Sequence, residues 1–162
     1  MFKNTLFTII LIICTTTLFA KGVHIYNPNA DAESAIQKAV KEAKTEGKFV
    51  FLEIGGNWCP WCVKFHHFVD DNQEIKNYVD QNFVVVNVNY SKENKNLEVL
   101  KELGFPQRFG FPVFVVLNDE GNNIHIQNSA YLEDGDGYSP QKVLTFFKQW
   151  SPAALDSKNY GK

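Results

Sequence analysis

The chain has 162 residues, 44% of them apolar and 14 of them Phe, enough for one well-buried core and short of what two domains need. A formal net charge of -2, with no basic stripe interleaved with aromatics, removes nucleic acid from the expected partners, because phosphate-backbone binding requires that electrostatic footprint. Three cysteines are too few for a small scaffold stapled by several disulfides.

The N-terminus reads as an export signal. Lys3 supplies the positive end, Leu6 to Ile13 is apolar apart from Thr8, and Leu18-Phe19-Ala20 precedes Lys21. Cleavage is expected near Ala20. An uncleaved anchor is the alternative, but a span needs about 20 mostly apolar residues and Thr15 to Thr17 cut this run short. Ile13 before Cys14 disfavours lipidation, which wants a small residue there. Loss of residues 1–20 removes Lys3 and Cys14, takes the charge from -2 to -3, and leaves Cys59 and Cys62. The expected product is an exported monomer, bacterial and periplasmic, with a domain over 21–150 and a frayed, flexible tail over 151–162.

After a short polar lead, Tyr26 to Asn29, Ala32, Ala35, Ile36, Ala39, Val40 and Ala43 recur at helical spacing, with Asp31 as N-cap and Gly47 as stop. Phe49 to Ile54 is an apolar run broken by Glu53 and followed by Gly55-Gly56, which predicts a central strand buried on both faces. Cys59 to about Val69 has no Gly and carries its one Pro at the start, so the cysteines sit at a helix N-terminus. Gln73 to Gln81 predicts a further helix, with Ile75, Tyr78 and Val79 on one face, and Phe83 to Val88 another buried strand. Asn94 to Leu103 is a helix candidate, and Val113 to Leu117 turns through Asn118-Asp119-Glu120-Gly121 into Ile124 to Gln127 as a hairpin. Ser139 and Pro140 open a last helix whose apolar face is Val143, Leu144, Phe146, Phe147 and Trp150. The fold class is α/β: a central mixed sheet flanked by helices, with an extra N-terminal helix.

A dithiol two residues apart closes a small ring reversibly, so Cys59 can attack a disulfide and Cys62 can resolve the mixed disulfide. Unsatisfied N–H groups and the positive end of the macrodipole at a helix start favour thiolate, and such sites reach a pKa of about 3.5 to 7.5 against about 8.5 for free Cys. Cys62, one turn in, is expected to be the more buried. The same spacing also serves metal and haem sites. Covalent haem attachment needs His after the second Cys, where this chain has Val63. A zinc site would have to recruit His66, His67, His24 or His125, so no metal is expected beyond the pair.

Trp58-Cys59-Pro60-Trp61-Cys62 directly after a buried strand resembles the active-site motif of thioredoxin-like proteins, and the resemblance spans Phe49 to Trp150. It implies that Gly110-Phe111-Pro112-Val113 is the family's cis-proline loop, with Pro112 beside the cysteines; Pro106 is set aside because polar Gln107-Arg108 follows it where a strand should begin. It also implies that Glu53 is the buried acid beneath the pair, a proton acceptor for Cys62 whose pKa is raised by low dielectric. Trp58, Pro60, Trp61 and Phe111 become the substrate-facing rim. Two departures stand out. The central dipeptide is Pro-Trp, which leaves the redox direction open, and Asn87 stands where the family has a strand lysine near the acid.

The leading expectation is a thiol:disulfide oxidoreductase with no cofactor beyond its redox-active Cys59–Cys62 disulfide. Its partners would be cysteine-containing exported proteins and a membrane electron donor, since no soluble reductant pool is expected outside the cytosol, and reduction is preferred to oxidation. The alternative is a Cu(I) carrier or adaptor on the same pair, for which no Met ligand other than the initiator exists. Asp134-Gly135-Asp136-Gly137 lacks the Glu a calcium loop needs, with Thr145 in its place, and reads as a polar loop. Asn89-Tyr90-Ser91 is a formal glycosylation sequon of little weight.

Overall fold

The computed structural model describes residues 24–161; the expected export signal, with Lys3, Cys14 and the Ala20 cleavage point, lies outside them. The chain first forms helix α1 (Ala32–Glu46), capped by the Asp31 side chain and stopped at Gly47, which adopts φ 67°. Strand β1 (Phe49–Gly55) leads to α2 (Pro60–Asp71), α3 (Gln73–Asn82) and β2 (Phe83–Asn89). After α4 (Leu97–Glu102) come β3 (Val113–Leu117) and β4 (Asn123–Asn128), a two-residue hairpin β5 (Glu133–Asp134) and β6 (Gly137–Tyr138), and α5 (Pro140–Gln149). The main sheet runs β2-β1-β3-β4, with β1 parallel to β2 and antiparallel to β3, which in turn is antiparallel to β4. It is the mixed, helix-flanked sheet with a preceding helix that the sequence predicts.

β1 is buried along its whole length. Its side chains alternate, so Val50, Leu52 and Ile54 pack with Ala39, Ala43 and Leu100 from α1 and α4, while Phe49 and Phe51 face α2, α3 and α5. The Phe51 ring lies 5.0 Å from Phe147, 5.3 Å from Phe114, 6.1 Å from Phe146, 6.3 Å from Phe65 and 6.4 Å from Phe83. Aromatic pairs at these separations add to the burial of each ring. Glu53 is two positions along and therefore lies on the Phe51 face, under α2.

Three expectations are corrected. The Phe83–Val88 run is an edge strand rather than a fully buried one: Val85 is 45% exposed, because β2 has a neighbour on one side and α1 covers one face. The helix expected from Asn94 begins at Leu97, since Asn94 and Asn96 bond backbone groups locally and Asn96 takes φ 48°, diverting the chain from helix. The Asn89 sequon, given little weight in the sequence, is buried, and the Asn89 amide donates to Ser91 Oγ and the Asn94 carbonyl. The tail expected to fray forms α6 (Pro152–Leu155) and a short turn, Ser157–Asn159, because Ser151 and Asp156 cap them and the Asn159 and Tyr160 side chains donate back to the carbonyls of Ala153 and Ala154.

Replacing Phe51 with Ala empties the centre of the ring cluster, and the expected loss is about 3 to 5 kcal/mol in urea-denaturation stability. A loss below about 1 kcal/mol would show that this cluster is not the core's keystone.

Candidate active site

Cys59 is the N-cap of α2, and its Sγ accepts the N–H of Cys62 at 3.2 Å. Pro60 occupies the first helical position, where a missing N–H costs nothing. The two cysteines are joined as a disulfide with Cα atoms 5.3 Å apart. Cys59 retains 4% exposure and Cys62 none, so an incoming thiol reaches Cys59 first.

Two aromatic walls flank the pair. On one side the exposed Trp58 donates its indole N–H to the Tyr90 carbonyl at 2.6 Å, and Phe111 lies 5.7 Å from Trp58 and 4.5 Å from Tyr90. On the other, the Trp61 ring stands edge-on to Tyr138 at 5.5 Å with Lys64 Nζ 4.3 Å above it. Tyr138 donates to the Trp61 carbonyl at 3.3 Å, and Lys64 bonds the Asp136 carbonyl, so the β5–β6 hairpin supports the active-site helix. The Asp134–Gly137 segment is the turn of that hairpin. The Phe111–Pro112 bond is cis, Pro112 is buried at the start of β3, and Phe111 packs with the cluster of Tyr26, Cys59 and Cys62. Pro106 instead opens a short turn over Pro106–Phe109, away from the strand entry.

Beneath the pair, Glu53 is 3% exposed. Burial pushes its carboxyl up to about 8; a hydrogen bond from Tyr26 pulls the other way, and the charge of Asp70 adds to the rise. Glu53 pairs in register with Asn87 on β2 and Phe114 on β3. Asn87 Oδ1 is buried without a hydrogen-bond partner. A lysine does reach the same cavity of about 270 Å³, but it is Lys76 of α3, which pairs with Asp70 and Asp80, both at 3.5 Å. His66 bonds Asp70 along its own helix at 3.3 Å, and His67 is exposed.

Two site residues escape a reading of the sequence. Tyr26, in what reads as a polar lead, is 1% exposed and donates its hydroxyl to Glu53 Oε1 at 2.7 Å. Asn57, in the loop before Cys59, accepts the N–H groups of Ile25 and Tyr26, both at 3.0 Å, and donates to the Tyr26 carbonyl at 2.7 Å. The apolar pair Ile25-Tyr26 ahead of the helix cap was the available signal. It gives no hint of a contact 27 residues away.

The raised carboxyl makes stability depend on pH. Between an ordinary 4.5 and about 8 the folded chain holds a proton that the unfolded chain has released, so this contribution is full below 4.5, falls as pH rises, and is gone above about 8. Glu53→Gln keeps the oxygen that Tyr26 bonds and removes the titration. The expected result is a flatter stability profile over that window and a gain at pH 8, checked by urea denaturation of both oxidised proteins; parallel profiles would place the slope elsewhere.

The chain shares 28% identity over 92 residues with the thiol:disulfide interchange protein DsbD of Vibrio cholerae, a match covering 56% of this chain and 15% of that one. It is 37% identical over 65 residues to mouse spermatogenesis-associated protein 20, covering 40% of this chain and 8% of the relative. These curated relatives are therefore far longer than the span they share with it. Among solved structures, a disulphide isomerase from Xylella fastidiosa Temecula1 superposes with a TM-score of 0.69 at 28% identity, over 77% of this chain and 95% of that one. The oxidised C-terminal domain of DsbD from Neisseria meningitidis shares the fold, with a TM-score of 0.53 at 18% identity over 73% and 95% of the two chains. The sequence pattern of one family, described as thioredoxin-like, fits residues 31–119, a stretch that runs from the cap of α1 through the cysteine pair and the cis-proline to the end of β3, and the chain belongs to that family.

Proposed function

We propose that the protein is a thiol:disulfide oxidoreductase that reduces disulfides in cysteine-containing exported proteins. The observation that carries this reading is the Cys59–Cys62 disulfide at the start of α2, with Cys59 keeping 4% exposure between two aromatic walls and Cys62 fully buried. The similarity to an interchange protein and to a disulphide isomerase supports the same chemistry.

In the reducing direction the Cys59 thiolate attacks one sulfur of the substrate disulfide. That bond breaks, and the departing thiolate takes a proton from solvent. Cys62 then gives its proton to Glu53 in its ionised form and attacks Cys59 Sγ, releasing the second substrate thiolate. Two electrons have passed from the protein dithiol to the substrate, and the protein is left as the disulfide seen here. The N–H groups at the start of α2 favour the Cys59 thiolate as nucleophile and as leaving group. Trp58, Pro60, Trp61 and Phe111 give an unfolded chain an apolar surface to rest on, and Pro112 holds Phe111 against the pair. The pair itself is the redox centre, no other cofactor takes part, and the protein works as a monomer. Regeneration takes two electrons from a thiol donor delivered through the membrane, in keeping with the export signal expected from the N-terminal sequence and with a periplasmic location.

Cys62→Ser is expected to trap a covalent adduct between Cys59 and substrate, visible on non-reducing gels and lost on adding dithiothreitol, whereas Cys59→Ser traps none. Equilibration with dithiothreitol or glutathione then sets the direction: a potential near about -270 mV supports a reductase, and one near about -120 mV an oxidant. If the pair will not cycle and bound Cu(I) leaves only with a chelator, the chain is a carrier and this reading fails.

A further inference from the structure

Each turn of the proposed cycle takes a proton off Cys62 and later returns it, yet Cys62 has no exposure to solvent. Glu53 can accept a proton. A hydroxyl, however, borders the same space as the sulfur. A Cβ on Gly55 would lie 2.5 Å from Cys62 Sγ and 3.0 Å from the Tyr26 hydroxyl oxygen, so the two atoms crowd one point, and Tyr26, Cys59 and Cys62 pack as one cluster. The same hydroxyl donates to Glu53 Oε1 at 2.7 Å. A phenolic oxygen accepts one hydrogen bond while donating another, which is what a proton bridge requires.

We infer that Tyr26 relays the proton between Cys62 Sγ and Glu53, and that Asn57 is the positioning residue that holds Tyr26 in place. The inference rests on the oxidoreductase reading above. As Cys62 attacks, its S–H proton passes to the Tyr26 oxygen while the proton of Tyr26 passes to Glu53. Tyr26 is neutral before and after, and Glu53 ends as the neutral acid. The electron pair left on Cys62 forms the bond to Cys59 Sγ, and the Cys59–substrate bond breaks with its electrons leaving on the substrate thiolate. When Cys62 is displaced in the opposite half-cycle, the same path returns the proton. A free tyrosinate is not formed: burial and the adjoining Glu53 hold the Tyr26 hydroxyl well above the usual tyrosine range.

The supporting geometry joins two distant parts of the chain. Asn57 belongs to the loop that ends in Cys59, and its three bonds to Ile25 and Tyr26 tie the lead to the active-site loop through one side chain. Tyr26 lies outside the stretch that fits the family pattern, residues 31–119, so the hydroxyl comes from this chain's own lead segment. Besides Tyr26, Glu53 is faced by Asp70 of α2 and is coupled by charge to Tyr138 of β6. His66 of α2 and Lys76 and Asp80 of α3 line the same cavity as Glu53.

The test measures resolution directly. Reduced protein is mixed with one equivalent of a small aromatic disulfide, quenched in acid at intervals, and the mixed disulfide on Cys59 is quantified by mass over a range of pH. For the wild type the resolution rate should rise and level off as Glu53 ionises. Tyr26→Phe is expected to slow resolution about 10-fold or more at neutral pH and to make it climb in proportion to hydroxide, while attack by Cys59 changes far less. Glu53→Gln should match that loss, and the double variant should be no slower than either single, because one path has been cut twice. Asn57→Ala, an exposed site, is expected to slow resolution several-fold and carries the test should Tyr26→Phe fail to fold. A wild-type rate and pH profile in Tyr26→Phe, or losses that multiply in the double variant, would overturn the relay and leave the oxidoreductase reading intact. A wild type that forms no mixed disulfide, or never resolves one, overturns both.

Discussion

Everything at the active end of this molecule depends on the register of β1. The strand is hydrogen-bonded to β2 on one side and β3 on the other, and its alternation sends Val50, Leu52 and Ile54 to one helical layer and Phe49, Phe51 and Glu53 to the other. A slip of one residue would exchange the two sets, burying Glu53 against the alanine face of α1 and turning the phenylalanines away from Phe147 and Phe114. The ring cluster around Phe51 resists that slip, and so the apolar core fixes where the one buried carboxyl of this strand can lie. Packing and chemistry are specified by the same few residues.

With β1 set, Gly55 and Gly56 turn the chain so that α2 begins at its end, and the site is built around that junction. Gly55 cannot be larger because Cys62 and Tyr26 fill the space a Cβ would take. The helix start stabilises negative charge at Cys59, whereas the interior beneath it disfavours charge and keeps Glu53 protonated well above a carboxyl's ordinary range. The two cysteines thus meet opposite environments one helical turn apart, and the proposed division of roles between them rests on that difference. The hairpin that carries Tyr138 and the loop that carries Phe111 close the flanks, packing against Trp61 and Trp58 in turn.

The acid's surroundings also differ from those the family resemblance implies. Asn87 faces Glu53 across the β1–β2 pairing, and the nearest lysine in the cavity, Lys76, comes from a helix and is already held by two aspartates. A hydroxyl from the N-terminal lead supplies the hydrogen bond instead. The substitution weakens the pull toward ionisation: a cation would hold Glu53 ionised, while a neutral donor lowers its pKa only in part and leaves burial in control.

Local patterns in the chain determined much of this by themselves. The Asp31 and Ser139 caps, the apolar run of β1 with Glu53 inside it, the cysteines at a helix start, and Pro112 ahead of a third strand are written in short stretches, because caps, periodicity and turns are set by neighbours in sequence. The tertiary structure alone decided the rest. An apolar run such as Phe83–Val88 does not show that it will lie at a sheet edge, since exposure depends on what other segments cover. The asparagines before α4 look helical until their side chains find backbone partners. Tyr26 and Asn57 sit in stretches with no periodic signal, and their bonds form only when α1 has brought the lead back across the end of β1. A contact between residues 27 positions apart is a property of the folded topology, and no spacing rule in the sequence encodes it.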